Sequence, residues 1–227
     1  MKYIVIGLGN FGKALSIRLT ALGHEVIGID NSIVKVEKLK EHITHTICMD
    51  STDKDAMTSL PLKDCDGVIV AIGEDEAASL LTTALLKQLN VRRIIGRIVS
   101  DLQQTVLEAM NIDEYIRPET ESAERFAMRL DDINILDSFK VSERYSIVET
   151  KVPERYVGMT LEQANLTNQF KVIVLTTMKI TEILVNGLTK KTTEASGIAK
   201  STTVLHGEDI LVLFGELKDI DRLIKMH

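Results

Sequence analysis

From residue 2 to about residue 116, short β-branched runs alternate with helix-length amphipathic segments, the rhythm of parallel strands joined by crossover helices. The runs predict strands at Lys2–Gly7, Glu25–Asp30, Thr44–Met49, Asp66–Ile72, Arg93–Ile98 and Glu114–Ile116, with helices between them. Phe11 to Leu22 sets Leu15, Leu19 and Leu22 at helical spacing, an apolar face for the sheet, and Gly23 follows as a residue suited to close a helix. Ser32 is a candidate cap for a helix carrying Ile33, Val36 and Leu39. Thr52, with Asp55 three residues later, resembles the cap of a third helix, and Glu76 to Leu89 reads as a fourth.

Arg117-Pro118-Glu119 breaks this rhythm, because a proline disfavours helix at the residue before it and ends the strand there. Ser122 to about Asp131 then predicts a helix with Ala123, Phe126, Ala127 and Leu130 along one side. Such a stripe faces either a partner subunit or, more commonly, the chain's own core. Beyond Ile135 the pattern shortens into strands and turns: Tyr145–Lys151, Phe170–Met178, Glu182–Val185 before Asn186-Gly187, and Asp209–Phe214 after His206-Gly207. Thr192 to Thr203, polar and rich in small residues, reads as a surface loop. The expectation is an α/β protein of two lobes, a doubly wound parallel sheet and a small α/β C-terminal lobe.

Composition narrows the function classes. A hydrophobic content of 44% over 227 residues supports a substantial core. The net charge is −6 and Lys and Arg are scattered singly, which argues against a nucleic-acid surface or a polybasic membrane anchor. The longest apolar runs, Tyr3–Leu8, Val68–Ile72 and Val172–Leu175, are too short to span a bilayer, and a first strand starting at Lys2 leaves no room for a signal peptide. A cytoplasmic protein is expected. Cys48 and Cys65 lack CxxC spacing and read as small core residues, and the five histidines form no ligand-spaced cluster.

The chemistry concentrates in Gly7-Leu8-Gly9-Asn10-Phe11-Gly12, which follows a strand and opens a helix. In that context the first glycine permits a tight turn, the second lets a pyrophosphate approach the backbone, and the third allows close packing of helix on strand. Phosphate then meets the free N–H groups and positive dipole end of the helix. Asp30 ends the second strand, where a carboxylate accepts hydrogen bonds from the ribose hydroxyls; its alternative is a turn or helix-cap aspartate. An acidic residue there disfavours the 2′-phosphate of NADP. Asn31 and Lys35 follow it as further candidate cofactor-binding residues. Asp50, Ser51 and Thr52 end the third strand and either flank an adenine or ribose or cap a helix. Ala71, Ile72 and Gly73 end the fourth and leave space for a ligand, while Arg97, ending the fifth, pairs with a phosphate or forms an ordinary surface ion pair. A dehydrogenase also needs an acid or base at the nicotinamide and a pocket for a second substrate, and no residue nominates itself for either. A nucleotide bound without turnover is the leading reading; an NAD-dependent oxidoreductase using the same crevice is the alternative.

These motifs, with Gly23-His24-Glu25-Val26, Val70-Ala71-Ile72-Gly73 and Arg117-Pro118-Glu119, resemble the N-terminal RCK domain of Trk/Ktr potassium-uptake regulators. Ser146-Ile147-Val148-Glu149, Val152-Pro153-Glu154, Gly158, Leu161 and Gly207-Glu208-Asp209-Ile210-Leu211-Val212 resemble their C-terminal RCK domain, so the likeness covers nearly the whole chain. It implies a Rossmann nucleotide-binding domain at residues 1–118, crossover and dimerisation helices at 119–136 and the C-terminal domain at 137–227. It further implies a homodimer built into an octameric ring at the inner face of the membrane, where nucleotide binding gates a separate potassium-transporting subunit. Equal affinity for two ring geometries would shift neither, so the nucleotide must prefer one. ATP-sensing relatives carry an arginine where this chain has Asn10, which moves NAD(H) and ADP up beside ATP as the adenine nucleotide. The resemblance also implies a divalent cation that Glu119 helps hold at the dimer interface near the nucleotide phosphates, for which a helix-start carboxylate is the alternative, and a C-terminal lobe that in some relatives takes cyclic di-AMP around Val172 and Ile173.

Overall fold

Ile4, Val5 and Ile6 of strand β1 (Lys2–Ile6) are each at most 1% exposed. Apolar side chains on both faces of one strand require cover on both sides of the sheet, and that is how the first part of the chain is built. The structure, a computed structural model, describes every residue except Asp113, Asn186, Gly187, Met226 and His227, and omits the side chains of Ile183, Val185 and Leu188. The chain divides into two units, Met1–Thr120 and Glu121–His227.

In the first unit, β1 is joined by β2 (Glu25–Asp30), β3 (His45–Cys48), β4 (Gly67–Val70), β5 (Ile94–Arg97) and β6 (Glu114–Ile116) in a parallel sheet of order β3-β2-β1-β4-β5-β6. Between them run α1 (Asn10–Ala21), α2 (Ile33–Leu39), α3 (Lys54–Thr58), α4 (Glu76–Gln88) and α5 (Asp101–Ala109). One face of the sheet packs Val5, Val26 and Ile69 against α1 and α2; the other packs Ile4, Ile6 and Val70 against Met57, Leu86 and Leu107 of α3, α4 and α5. The expected Rossmann-like, doubly wound sheet is therefore present. The sequence order reverses between β1 and β4, which opens a crevice at the strands' C-terminal ends.

Local expectations need correcting. Leu15 and Leu19 pack on the sheet, but Leu22 is 57% exposed, and in α2 Val36 and Leu39 are buried while Ile33 is not. Ser32 stands at the N-cap of α2 without a side-chain cap bond, and α3 is capped by Asp53, whose carboxylate accepts from Asp55 and Ala56 N–H, rather than by Thr52. Cys48 is exposed and Cys65 only partly buried; both are free thiols.

Helix α6 (Pro118–Asp131) follows β6, with Pro118 at the first helical position its fixed φ suits. It is the helix that this chain places in the region 119–136, and it ends before β7 begins at Ile135. None of its residues is buried; Phe126 is 55% and Leu130 72% exposed, so the stripe does not belong to this chain's core.

The second unit is an antiparallel sheet of β7 (Ile135–Lys140), β8 (Tyr145–Lys151), β9 (Ile173–Val185), β10 (Leu188–Ala195) and β11 (Ile210–Glu216) in the order β10-β9-β11-β8-β7. Along β8, and along β11 from Leu211 onward, every second residue is buried. That single apolar face packs with α7 (Leu161–Ala164), α8 (Leu166–Phe170) and α9 (Leu217–Lys225) through Ala164, Phe170, Ile220 and Leu223. The strand expected at Phe170–Met178 starts only at Ile173, because Leu166–Phe170 is helical, and it continues unbroken through Glu182 to Val185. The turn expected at Asn186-Gly187 lies outside the described residues. Thr192–Ala195, read as loop, is the end of β10. Among the described residues no helix is long and apolar enough to cross a membrane.

Candidate functional site

The loop from β1 to α1 is held by two backbone requirements. Gly7 has φ +94, a left-handed conformation that a side chain would strain, and its N–H donates to Ile29 O at 2.7 Å. Gly12 is pressed against the turn: a Cβ there would lie 1.9 Å from Gly7 O, so any side chain would force the helix away from the strand. Gly9 stands at the N-cap of α1 without a side-chain cap bond, and the first turn carries no acidic residue. The orphan N–H groups and the positive end of this 12-residue helix therefore face the crevice unneutralised by any side chain of their own turn.

Asp30, at the end of β2, is 7% exposed. Its carboxylate accepts from Leu8 N–H at 2.7 Å and from Ser32 N–H at 2.9 Å, and Lys35 Nζ lies 3.7 Å away. It is thus a turn aspartate and a crevice-lining carboxylate together: it ties the glycine loop to the start of α2 from within the cavity. Asp50 accepts from the N–H and hydroxyl of Thr52, and these bonds hold its carboxyl below the usual range. Ser51 does not cap a helix; its hydroxyl pairs with Thr82 of α4 at 2.8 Å. Arg97 donates to Ala71 O at 3.2 Å, ion-pairs with Glu119 and lies 5.8 Å from the Phe11 ring centroid.

A cavity of about 300 Å³ collects these groups. Its lining includes Gly7, Gly9, Asn10, Phe11, Asp30, Asn31, Lys35, Asp50, Ser51, Ala71, Ile72, Gly73, Arg97 and Glu119. Of the residues expected from sequence, Gly12 and Thr52 lie outside it: Gly12 is buried beneath the loop, and Thr52 turns to Asp50. Glu74, Asp75 and Met49 line it unforeseen. Glu74 and Asp75 directly follow Ala71-Ile72-Gly73, the segment after β4, and Asp75 caps α4 by accepting from Ala78 N–H, a pattern legible as a helix start but not as cavity wall.

The Glu119 carboxylate is engaged by Arg97, and no group of three His, Cys, Asp or Glu among the described residues is arranged to hold a metal ion. In the second unit Val172 is fully buried and only Ile173 of that pair faces outward, so the position named for a cyclic dinucleotide is half core.

Residues 3–118 match the TrkA-N domain family model. The whole chain is similar to Ktr system potassium uptake protein C of Bacillus subtilis (strain 168), 34% identical over 99% of this chain and 96% of that protein. Ktr system potassium uptake protein A of the same organism is 29% identical over 97% of this chain and 94% of its own length. Among solved structures, the GsuK channel bound to NAD shares the fold at a TM-score of 0.61 and 14% identity, covering 98% of this chain, which spans 38% of that longer one. The glycine loop, the acidic end of β2 and an alignment running nearly end to end agree: this chain belongs to the TrkA-N family, among the Ktr-type potassium uptake proteins.

Proposed function

We propose that this chain is the cytoplasmic, nucleotide-binding regulatory subunit of a potassium-uptake system. An adenine nucleotide sits in the crevice of the first unit, its ribose at Asp30 and its phosphate at the first turn of α1. The observation that carries this reading is the meeting, in one cavity, of an uncapped helix N-terminus and a buried strand-end carboxylate. The NAD named in the GsuK structure accords with it. Binding favours one arrangement of a homo-oligomer, a dimer through the exposed stripe of α6 and an octameric ring of such dimers, and the ring gates a separate membrane potassium-transporting subunit. The chain acts as a binding protein rather than an enzyme. Ser51 is hydrogen-bonded to Thr82, Lys35 lies between Asp30 and Glu74, Arg97 is paired with Glu119, and among the described lining residues there is no His, Tyr or Cys to serve as acid or base at a nicotinamide.

Calorimetry of the full chain with ATP, ADP, AMP, NAD⁺ and NADH, with and without magnesium, tests the proposal. Saturable binding of at least one of these, lost in Asp30→Ala, is expected. No binding of any would overturn it, and steady oxidation of NADH with a second substrate would replace it with an oxidoreductase.

A further inference from the structure

Every cation in the crevice already has a carboxylate. Lys35 lies 3.7 Å from Asp30 and 3.7 Å from Glu74, and Arg97 is paired with Glu119. Among the described residues, the lining holds five carboxylates, Asp30, Asp50, Glu74, Asp75 and Glu119, against these two cations. An entering phosphate, met by the N–H groups of α1, therefore finds no unpaired positive side chain among the described lining residues and gains a cation only by exchanging with a carboxylate.

The pair suited to exchange is Arg97–Glu119. The Glu119 side chain is 61% exposed and that of Arg97 only 14%. The guanidinium is also held by contacts that do not involve Glu119: Nη1 donates to Ala71 O, and the group lies over the Phe11 ring. The space it fills exists because residue 73 has no side chain; a Cβ on Gly73 would fall 2.5 Å from Cζ. Its Nε is buried without a hydrogen-bond partner among the described residues. So the cation stays in place when its exposed partner leaves, and a phosphate, with more charge and more acceptor oxygens than a carboxylate, is the stronger competitor for it.

We infer that Glu119 is an internal competitor of the nucleotide phosphate: it holds Arg97 until phosphate takes its place, and its release is the first change passed to α6. The inference rests on the nucleotide reading above. Glu119 is the second residue of α6, so what happens in the crevice reaches that helix through one side chain. It also sets the ligand preference, because only phosphorylated ligands gain from the exchange.

Calorimetry of the full-length wild type, Glu119→Gln, Arg97→Gln and the double variant, with adenosine, AMP and ADP and with divalent cations chelated, reads the competition directly. Removing the competitor is expected to tighten AMP and ADP up to about fivefold, the fold-change matching about 1 kcal/mol for a partly exposed ion pair, and to leave adenosine unchanged. The gain should vanish in the Arg97→Gln background. Unchanged or weaker ADP binding by Glu119→Gln overturns the competition, and a gain that persists without Arg97 overturns it in favour of a general loss of negative charge. Either result leaves the nucleotide site standing, whereas failure of the wild type to bind both adenosine and ADP overturns the site as well.

Discussion

The two units use apolar residues in opposite ways. β1 buries consecutive residues, Ile4, Val5 and Ile6, whereas β8, and β11 from Leu211 onward, bury alternate ones. A sheet covered on both faces can meet a ligand only at its strand ends, and there the glycine loop, Asp30 and Arg97 converge. The antiparallel sheet leaves much of one face uncovered within this chain, with Ile173, Leu175 and Ile180 each at least 39% exposed, and no motif directs function to one point on it. The fold therefore gathers the candidate site in the first unit and gives the second an exposed apolar face.

That contrast breaks most readily if damage to one unit is felt in the other. Leu213→Ala, at a fully buried site of β11, is expected to cost about 2–5 kcal/mol in denaturant unfolding. Nucleotide affinity should hold while the second unit stays folded, and an equal loss of affinity would show that the units do not divide the work. Gly12→Ala forces a Cβ onto Gly7 O and is expected to cost about 1–3 kcal/mol by thermal unfolding and to abolish nucleotide binding, because the loop cannot keep its shape. Retained affinity would mean that the loop is not the site.

Asp30→Ala leaves the buried Leu8 N–H and the partly buried Ser32 N–H without their acceptor and is expected to cost about 1–3 kcal/mol. Its effect on calorimetric affinity for nucleotide should exceed the tenfold step that corresponds to about 1.4 kcal/mol. The smallest effect on stability is expected from Phe126→Ser with Leu130→Ser on α6, within about 0.5 kcal/mol for each exposed site. Sedimentation should nevertheless report loss of the dimer, and an unchanged dimer would remove the stripe from the interface.

The parallel sheet was legible because two-sided burial writes continuous β-branched runs, and the glycine spacing was legible because backbone geometry permits little else there. The second unit was less so. Phe170 reads as the first residue of a strand and is the last of a short helix, buried with Leu166 in the core, since a single apolar residue carries no period of its own. The α6 stripe has core-like spacing and is exposed, because periodicity records that a face is apolar but not what covers it.

By itself, the sequence determined the alternation of strands and helices, the place of the glycine loop and the carboxylate at the end of β2, all set by local backbone and pairing rules. Only the tertiary structure decided that Asp30 also braces the loop, that Glu74 and Asp75 wall the cavity and that Arg97 is already held by Glu119. These depend on which side chains meet across 22 residues or more of chain, and the charge balance of a cavity is a sum over neighbours that no local pattern contains.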